Sequence, residues 1–182
     1  MKIVDKIKEK AAILNLKKEL KMHKRAVTIN NFTTASTAGV IFDAVDREKY
    51  QLAREFIEFI EKNNTRVFGI GIASKNDQIA YFPYKQGIDY FGANEVNWYG
   101  KPSNPVINDF LKRNFDILFD LTLTDSFSIH YLFALSIAKF KITNDSIKSE
   151  YADFVLQVSN KEKLGNYINM VKHYLGVMQI KQ

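Results

Sequence analysis

Three carboxylates stand at or just after the ends of short apolar runs. Asp43 closes Gly39-Val-Ile-Phe-Asp43, Asp120 closes Phe115-Asp-Ile-Leu-Phe-Asp120, and Asp125 follows shortly after. In an open α/β sheet a ligand binds beyond the carboxyl ends of the strands. Asp43, Ser74, Lys75, Asp120, Thr122, Thr124 and Asp125 would then gather around a small molecule, with Asp43, Asp120, Thr122 and Asp125 as its ligand-binding set. The plainer use of Asp120, Thr124, Asp125 and Ser126 is to form a turn and cap the next helix, a common role for these residue types. No catalytic residue is assigned. The histidines, His23, His130 and His173, are never three or four residues apart, so no helical metal pair exists. His130 fits a core histidine better than a general base, and His23 is expected on a basic surface. Gly69-Ile-Gly71 resembles part of a dinucleotide fingerprint, but it lies inside an apolar run and lacks the third glycine. There is no GxxxxGK[ST] motif, and no cofactor or metal is expected.

Charge points elsewhere. The first 25 residues hold nine basic side chains against Asp5, Glu9 and Glu19, a net +6 that equals the charge of the whole chain. The remainder carries 17 basic and 17 acidic residues. Such asymmetry is a statement about partners. Lys6, Lys10, Lys17, Lys18, Lys21, Lys24 and Arg25 are candidate phosphate contacts. The loop Asn97-Trp98-Tyr99-Gly100-Lys101-Pro102 carries the only tryptophan. Trp98 and Lys101 could stack on and pair with a nucleic acid, or grip a protein partner. The alternative is an Ω-loop folded under its own aromatics.

These groups need elements to position them. Ile3–Met22 has no Pro or Gly and reads as a helix. Ile3, Val4, Ile7, Ala11 and Leu14 share one face, and Ile13, Leu16 and Leu20 fall roughly opposite. The phase shift near Asn15 predicts a kink or a helix serving two surfaces. Residues 26–37 read as a linker with a short edge strand at Val27–Ile29, and 38–182 as the body. Within the body, strands are expected at Gly39–Asp43, Arg66–Ala73, Ile79–Phe82, Phe115–Asp120, Phe140–Ile142 and Phe154–Val158. Helices are expected after Asp46, over Pro105–Arg113, over Ser126–Lys139, and from about Lys161 with Leu164, Tyr167, Ile168, Val171 and Leu175 inward. Asp89–Pro105 reads as irregular. Alternation of β and α predicts an α/β fold with a Rossmann-like, mainly parallel sheet and helices on both faces, preceded by the basic helix.

The absence of cysteine excludes structural disulfides and thiolate zinc sites. No apolar run is long enough to span a bilayer, and MKIVDKIKEK has no apolar signal core, so a cytoplasmic location is expected.

The run Phe115–Leu121, with its following helix and Ala138-Lys-Phe-Lys-Ile142, resembles the acceptor-side, N-terminal half of heptosyltransferase-like GT-B glycosyltransferases. Those enzymes bind the nucleotide-sugar donor mainly in a second Rossmann domain, which these residues do not include. The resemblance therefore implies a fold without the reaction. The whole chain also resembles an uncharacterised family of short bacterial proteins with a lysine-rich first helix, an NWFGKP-like loop (here Asn97–Pro102) and a FDLLIDL-like strand (here Phe115–Leu121). That family implies no activity. The expected function is non-enzymatic attachment to RNA or a ribosomal particle through the basic helix. The alternative is a transferase-related or small-molecule-binding domain using the strand-end acids.

Overall fold

The computed structural model describes residues 2–73, 82–92, 95–123, 126–144, 147–158 and 164–180, with side chains from Ile7 onward and without that of Ile147. Asp125 of the expected ligand set, together with Ser74, Lys75, Thr124 and the side chain of Lys6, lies outside the described residues.

The apolar runs pair as one sheet. Its strands are β1 (Thr37–Asp43), β2 (Arg66–Ala73), β3 (Ile88–Gly92), β4 (Ile117–Asp120), β5 (Phe140–Thr143) and β6 (Phe154–Val155). Their order is β3-β2-β1-β4-β5-β6. Every pairing is parallel, so the sheet is fully rather than mainly parallel. Near-continuous Val, Ile and Phe suit strands covered on both faces, and all of β4 is buried. The helices are α1 (Lys2–Lys21), α2 (Arg47–Lys62), α3 (Pro105–Leu111), α4 (Phe127–Leu135) and α5 (Leu164–Val177), with a 3₁₀ turn at Ile147–Tyr151. On one face Phe42 and Phe119 pack with Phe56 of α2 and Tyr167 of α5. On the other, Ile41 and Leu118 pack with Phe110 of α3 and Phe133 of α4. Helix α1 forms a further layer, with Leu16 set among Tyr131, Ala134 and Leu135 of α4.

Local chemistry fixes several boundaries. The Asp46 carboxylate accepts from the Lys49 amide at 2.9 Å and caps α2, as expected. Asn63 ends that helix and Asn64 takes φ 61°, a left-handed position that asparagine tolerates. The inward set of α5 is the expected one. In β2 the two glycines serve packing rather than a nucleotide: a Cβ on Gly71 would lie 2.5 Å from the Tyr90 ring and 2.9 Å from Phe42.

Four expectations are corrected. Strand β3 lies at Ile88–Gly92, where an irregular segment was expected. The expected strand at 79–82 is not among these, since it lies outside the described residues except for Phe82, whose ring stacks on Tyr90 with 4.6 Å between centroids. Helix α4 stops at Leu135, because Ser136 turns extended (φ −61°, ψ 137°) to lead into β5. Val27–Ile29 forms no strand; the Thr28 amide alone donates to Lys139 there. The segment read as a linker is part of the body. Asn30, Asn31, Phe32 and Ala35 are buried, the Phe32 ring meets Phe59 at 5.2 Å, and the Asn31 amide donates to the Met178 carbonyl at 2.8 Å.

Candidate functional site

The chain builds from β1 outward to β3, then returns to place β4 on the other side of β1. Ligands of such sheets bind where the order reverses, and that point lies between Asp43 and Asp120. Ile41 is level with Asp120, so Asp43 extends two residues beyond it.

Asp120, however, is committed to the protein's own groups. One carboxylate oxygen accepts from the Thr122 amide at 3.0 Å and the Thr122 hydroxyl at 2.6 Å. The other accepts from the Thr143 hydroxyl at 3.0 Å and the Lys148 ammonium at 2.5 Å. A carboxylate has about four lone-pair sites, and all are taken. Asp120 and Thr122 have no exposed surface, and Lys148 is 1% exposed. These two expected ligand residues are brought together as an internal network, not as an open site. The Tyr167 hydroxyl is buried without a hydrogen-bond partner among the described residues, and burial, then the Asp120 charge, raises its pKa. Asp43 accepts from the Val45 amide at 2.8 Å and faces Lys49 at 3.5 Å, so it shapes the turn into α2.

The basic helix has two different sides. Ala12 and Leu16 are buried, whereas Ile7 and Leu14 are 56% and 67% exposed. The helix runs from Lys2 to Lys21, and of its two apolar faces the one with Leu16 packs on the body while, among the described residues, Ile7 and Leu14 face outward.

Its carboxyl end is clasped. Glu19 accepts from Lys101 at 2.7 Å and from the Tyr131 hydroxyl at 2.6 Å. A ring nitrogen of His23 bonds to the Leu135 carbonyl. Arg25 forms a two-pronged pair with Asp153 and donates to the Ala138 carbonyl at 2.9 Å. Beneath the clasp Lys141, 1% exposed, donates to the carbonyls of Phe133 and Ala134 at the end of α4, both at 2.9 Å. Burial first, then the charge of Arg25, lowers its pKa to about 7. Burial, then Lys141 and Arg25, likewise lowers that of His23. Arg25, Lys101 and His23 thus act as anchors rather than as open basic surface.

Lys10, Lys17, Lys18, Lys21 and Lys24 are exposed, and none joins an ion pair among the described residues. Lys10, Lys17 and Lys21 follow at intervals of seven and four, which places them on one side of the helix.

The Trp98 loop is rigidly built. The Asn97 side chain accepts from the Tyr99 and Lys101 amides at 3.2 and 3.0 Å. Val96 and Pro102 form an antiparallel bridge. Gly100, at φ 92°, lets the chain turn, and its carbonyl accepts from Ser128 at 3.0 Å. Trp98 stands out 61% exposed, edge-on to Tyr99 at 5.1 Å. Through Lys101 and Glu19 this loop is joined to α1.

Residues 8–178 match the model of a family described as "Family of unknown function (DUF6913)". The chain belongs to this family. No curated protein matches it significantly. Among solved structures it is similar to a glycosyl transferase family 9 protein from Veillonella parvula DSM 2008, with a TM-score of 0.50 and 15% identity. The match covers 79% of this chain and 42% of the transferase. At that identity the likeness concerns the fold.

Several residues that organise this DUF6913 chain carried little or no sequence signal. Lys148 lies 28 residues beyond Asp120 in a short 3₁₀ turn. Lys141 reads as an ordinary strand lysine. Glu19 did carry a clue: it is the only acid between Lys10 and Arg25, and a lone acid in a basic run points to a specific partner. Among the described residues no group of three or more His, Asp or Glu could hold a metal, and no helix is long and apolar enough to cross a membrane.

Proposed function

We propose that this protein is a non-enzymatic binding module that attaches to RNA within a ribosomal or other ribonucleoprotein particle, with α1 as the contact. The observation that carries this reading is the separation of duties along α1. Leu16, Glu19, His23 and Arg25 fasten it to the body. Lys10, Lys17, Lys18, Lys21 and Lys24 are left exposed without ion pairs among the described residues. A row of unneutralised ammonium groups on a fixed helix suits a polyanion, because each phosphate it neutralises releases counterions. Trp98 adds a fixed stacking surface joined to the same helix. The alternative, a transferase-related ligand site at the strand ends, loses support from the saturated Asp120 carboxylate.

The test uses the full chain and a fluorescent single-stranded RNA, with affinity measured across a salt series. Binding should weaken with salt at a log–log slope of about −0.7 per lysine contact. Replacing Lys10, Lys17, Lys18 and Lys21 by Gln should flatten the slope and leave the unfolding midpoint unchanged. Wild-type protein should also sediment with ribosomal particles at low salt. Absence of RNA binding at low salt, or affinity indifferent to salt, would overturn the reading.

A further inference from the structure

Where the last turn of α1 meets α3 and α4, the surface is hollowed into a groove of about 540 Å³. Leu111, Tyr131, Leu135 and Ile137 give it an apolar lining, and Glu19, Met22, His23, Lys101, Asn108 and Lys112 complete it. Glu19 is already satisfied by Lys101 and Tyr131, so the uncompensated charge around the groove is positive. Lys112 lies at the α3 side. Lys21, exposed at the end of α1 and next in sequence to the groove-lining Met22, adds a cation nearby. An apolar hollow bordered by cations, continuous with the lysine-bearing helix, matches a nucleotide in a single strand: an unstacked base inside and its flanking phosphates outside.

We infer that this groove receives one unpaired base of the RNA, with Lys21 and Lys112 on the adjacent phosphates. The inference rests on the RNA reading above and adds to it a requirement for a base, which lysine–phosphate contacts alone do not impose. It also separates two classes of polyanion. A duplex keeps its bases stacked and leaves the groove empty, whereas a flexible single strand fills it.

The experiment compares oligouridylate of about twelve nucleotides, within the usual site size for one single-strand-binding fold, with an abasic ribose-phosphate strand of the same length. The wild-type full chain should bind the abasic strand about tenfold or more weakly, the scale of losing one stacked base. Asn108→Trp, at an exposed position beside the groove, should fill it. Made in a Trp98→Ala background, which removes the other stacking surface, that variant should bind both strands alike, with an unchanged unfolding midpoint. Equal wild-type affinity for the two strands overturns the groove assignment while leaving the lysine contact intact. Full discrimination retained in the double variant also overturns it, because the base then sits elsewhere. Failure to bind either strand removes the RNA reading itself.

Discussion

Glu19 of α1 and Lys101 of the Trp98 loop meet at 2.7 Å, across 82 residues of sequence. The pair ties the basic helix to the aromatic loop, and the Tyr131 hydroxyl bonds to the same carboxylate. Both side chains are about one-third exposed, 35% and 31%, so water screens the attraction. A double-mutant cycle with Glu19→Gln and Lys101→Met should give a coupling of about 0.2–1 kcal/mol. It should shrink at high salt in urea unfolding. A coupling insensitive to salt would mean that packing against Tyr131, not charge, joins the two elements.

The buried Asp120–Lys148 pair should behave differently. Lys148→Ala leaves a carboxylate without its cation in a site that excludes water, and should cost about 3–5 kcal/mol. Replacing both partners by apolar residues of similar size should recover most of that loss. Urea midpoints of the single and paired variants decide this. If Lys148→Ala is as stable as wild type, the network does not seal the strand ends.

Lys141 predicts a pH dependence with a defined sign. Its folded pKa of about 7 lies below the ordinary 10.5. Between those values the unfolded chain binds the proton and the folded one does not, so stability from this group rises with pH. A neutral amine still has two N–H donors, enough for the carbonyls of Phe133 and Ala134. The stability difference between wild type and Lys141→Met should therefore move in favour of wild type as pH climbs from about 7 toward 10.5. A flat difference across that window would show the amine charged in the folded protein.

Trp98 is exposed and its loop is held by Asn97 and Gly100, so its ring contributes little to the core. Trp98→Ala should leave stability within about 0.5 kcal/mol. If Trp98 stacks on RNA, the same change should weaken single-strand binding by about 1–3 kcal/mol, and Trp98→Tyr should restore much of it. Loss of stability without loss of binding would make the ring structural.

The parts legible in the sequence were those governed by local pattern. The inward stripe of α5 and the strands β1, β2 and β4 follow from apolar spacing, and the cap at Asp46 from residue type. Strand β3 was not legible, because Asp89 and Gly92 weaken its pattern and only pairing with β2 settles it. Both faces of α1 are apolar enough to pack, and the surface of α4 decides that Leu16 is buried and Leu14 is not. For the strand-end acids, position could be read but availability could not. Asp120 is closed by Lys148 and Thr143, which the chain brings in only when β5 and the 3₁₀ turn are in place.

Ile7, Lys8, Glu9 and Lys10 are exposed all the way around the helix, one turn before Ala12 and Leu16 find the body. A helical segment with no tertiary support is held only by its own marginal helix–coil equilibrium. Amide hydrogen exchange should therefore grade along α1, fast at residues 8–10 and slow near Leu16 and Leu20. A partner that grips the amino-terminal half must freeze this segment, and that ordering subtracts from its affinity. Substituting the exposed Ile13 by Ala, a stronger helix former, would then tighten binding without adding a contact. The strength of attachment is in this way partly written into the stiffness of a helix before anything is bound to it.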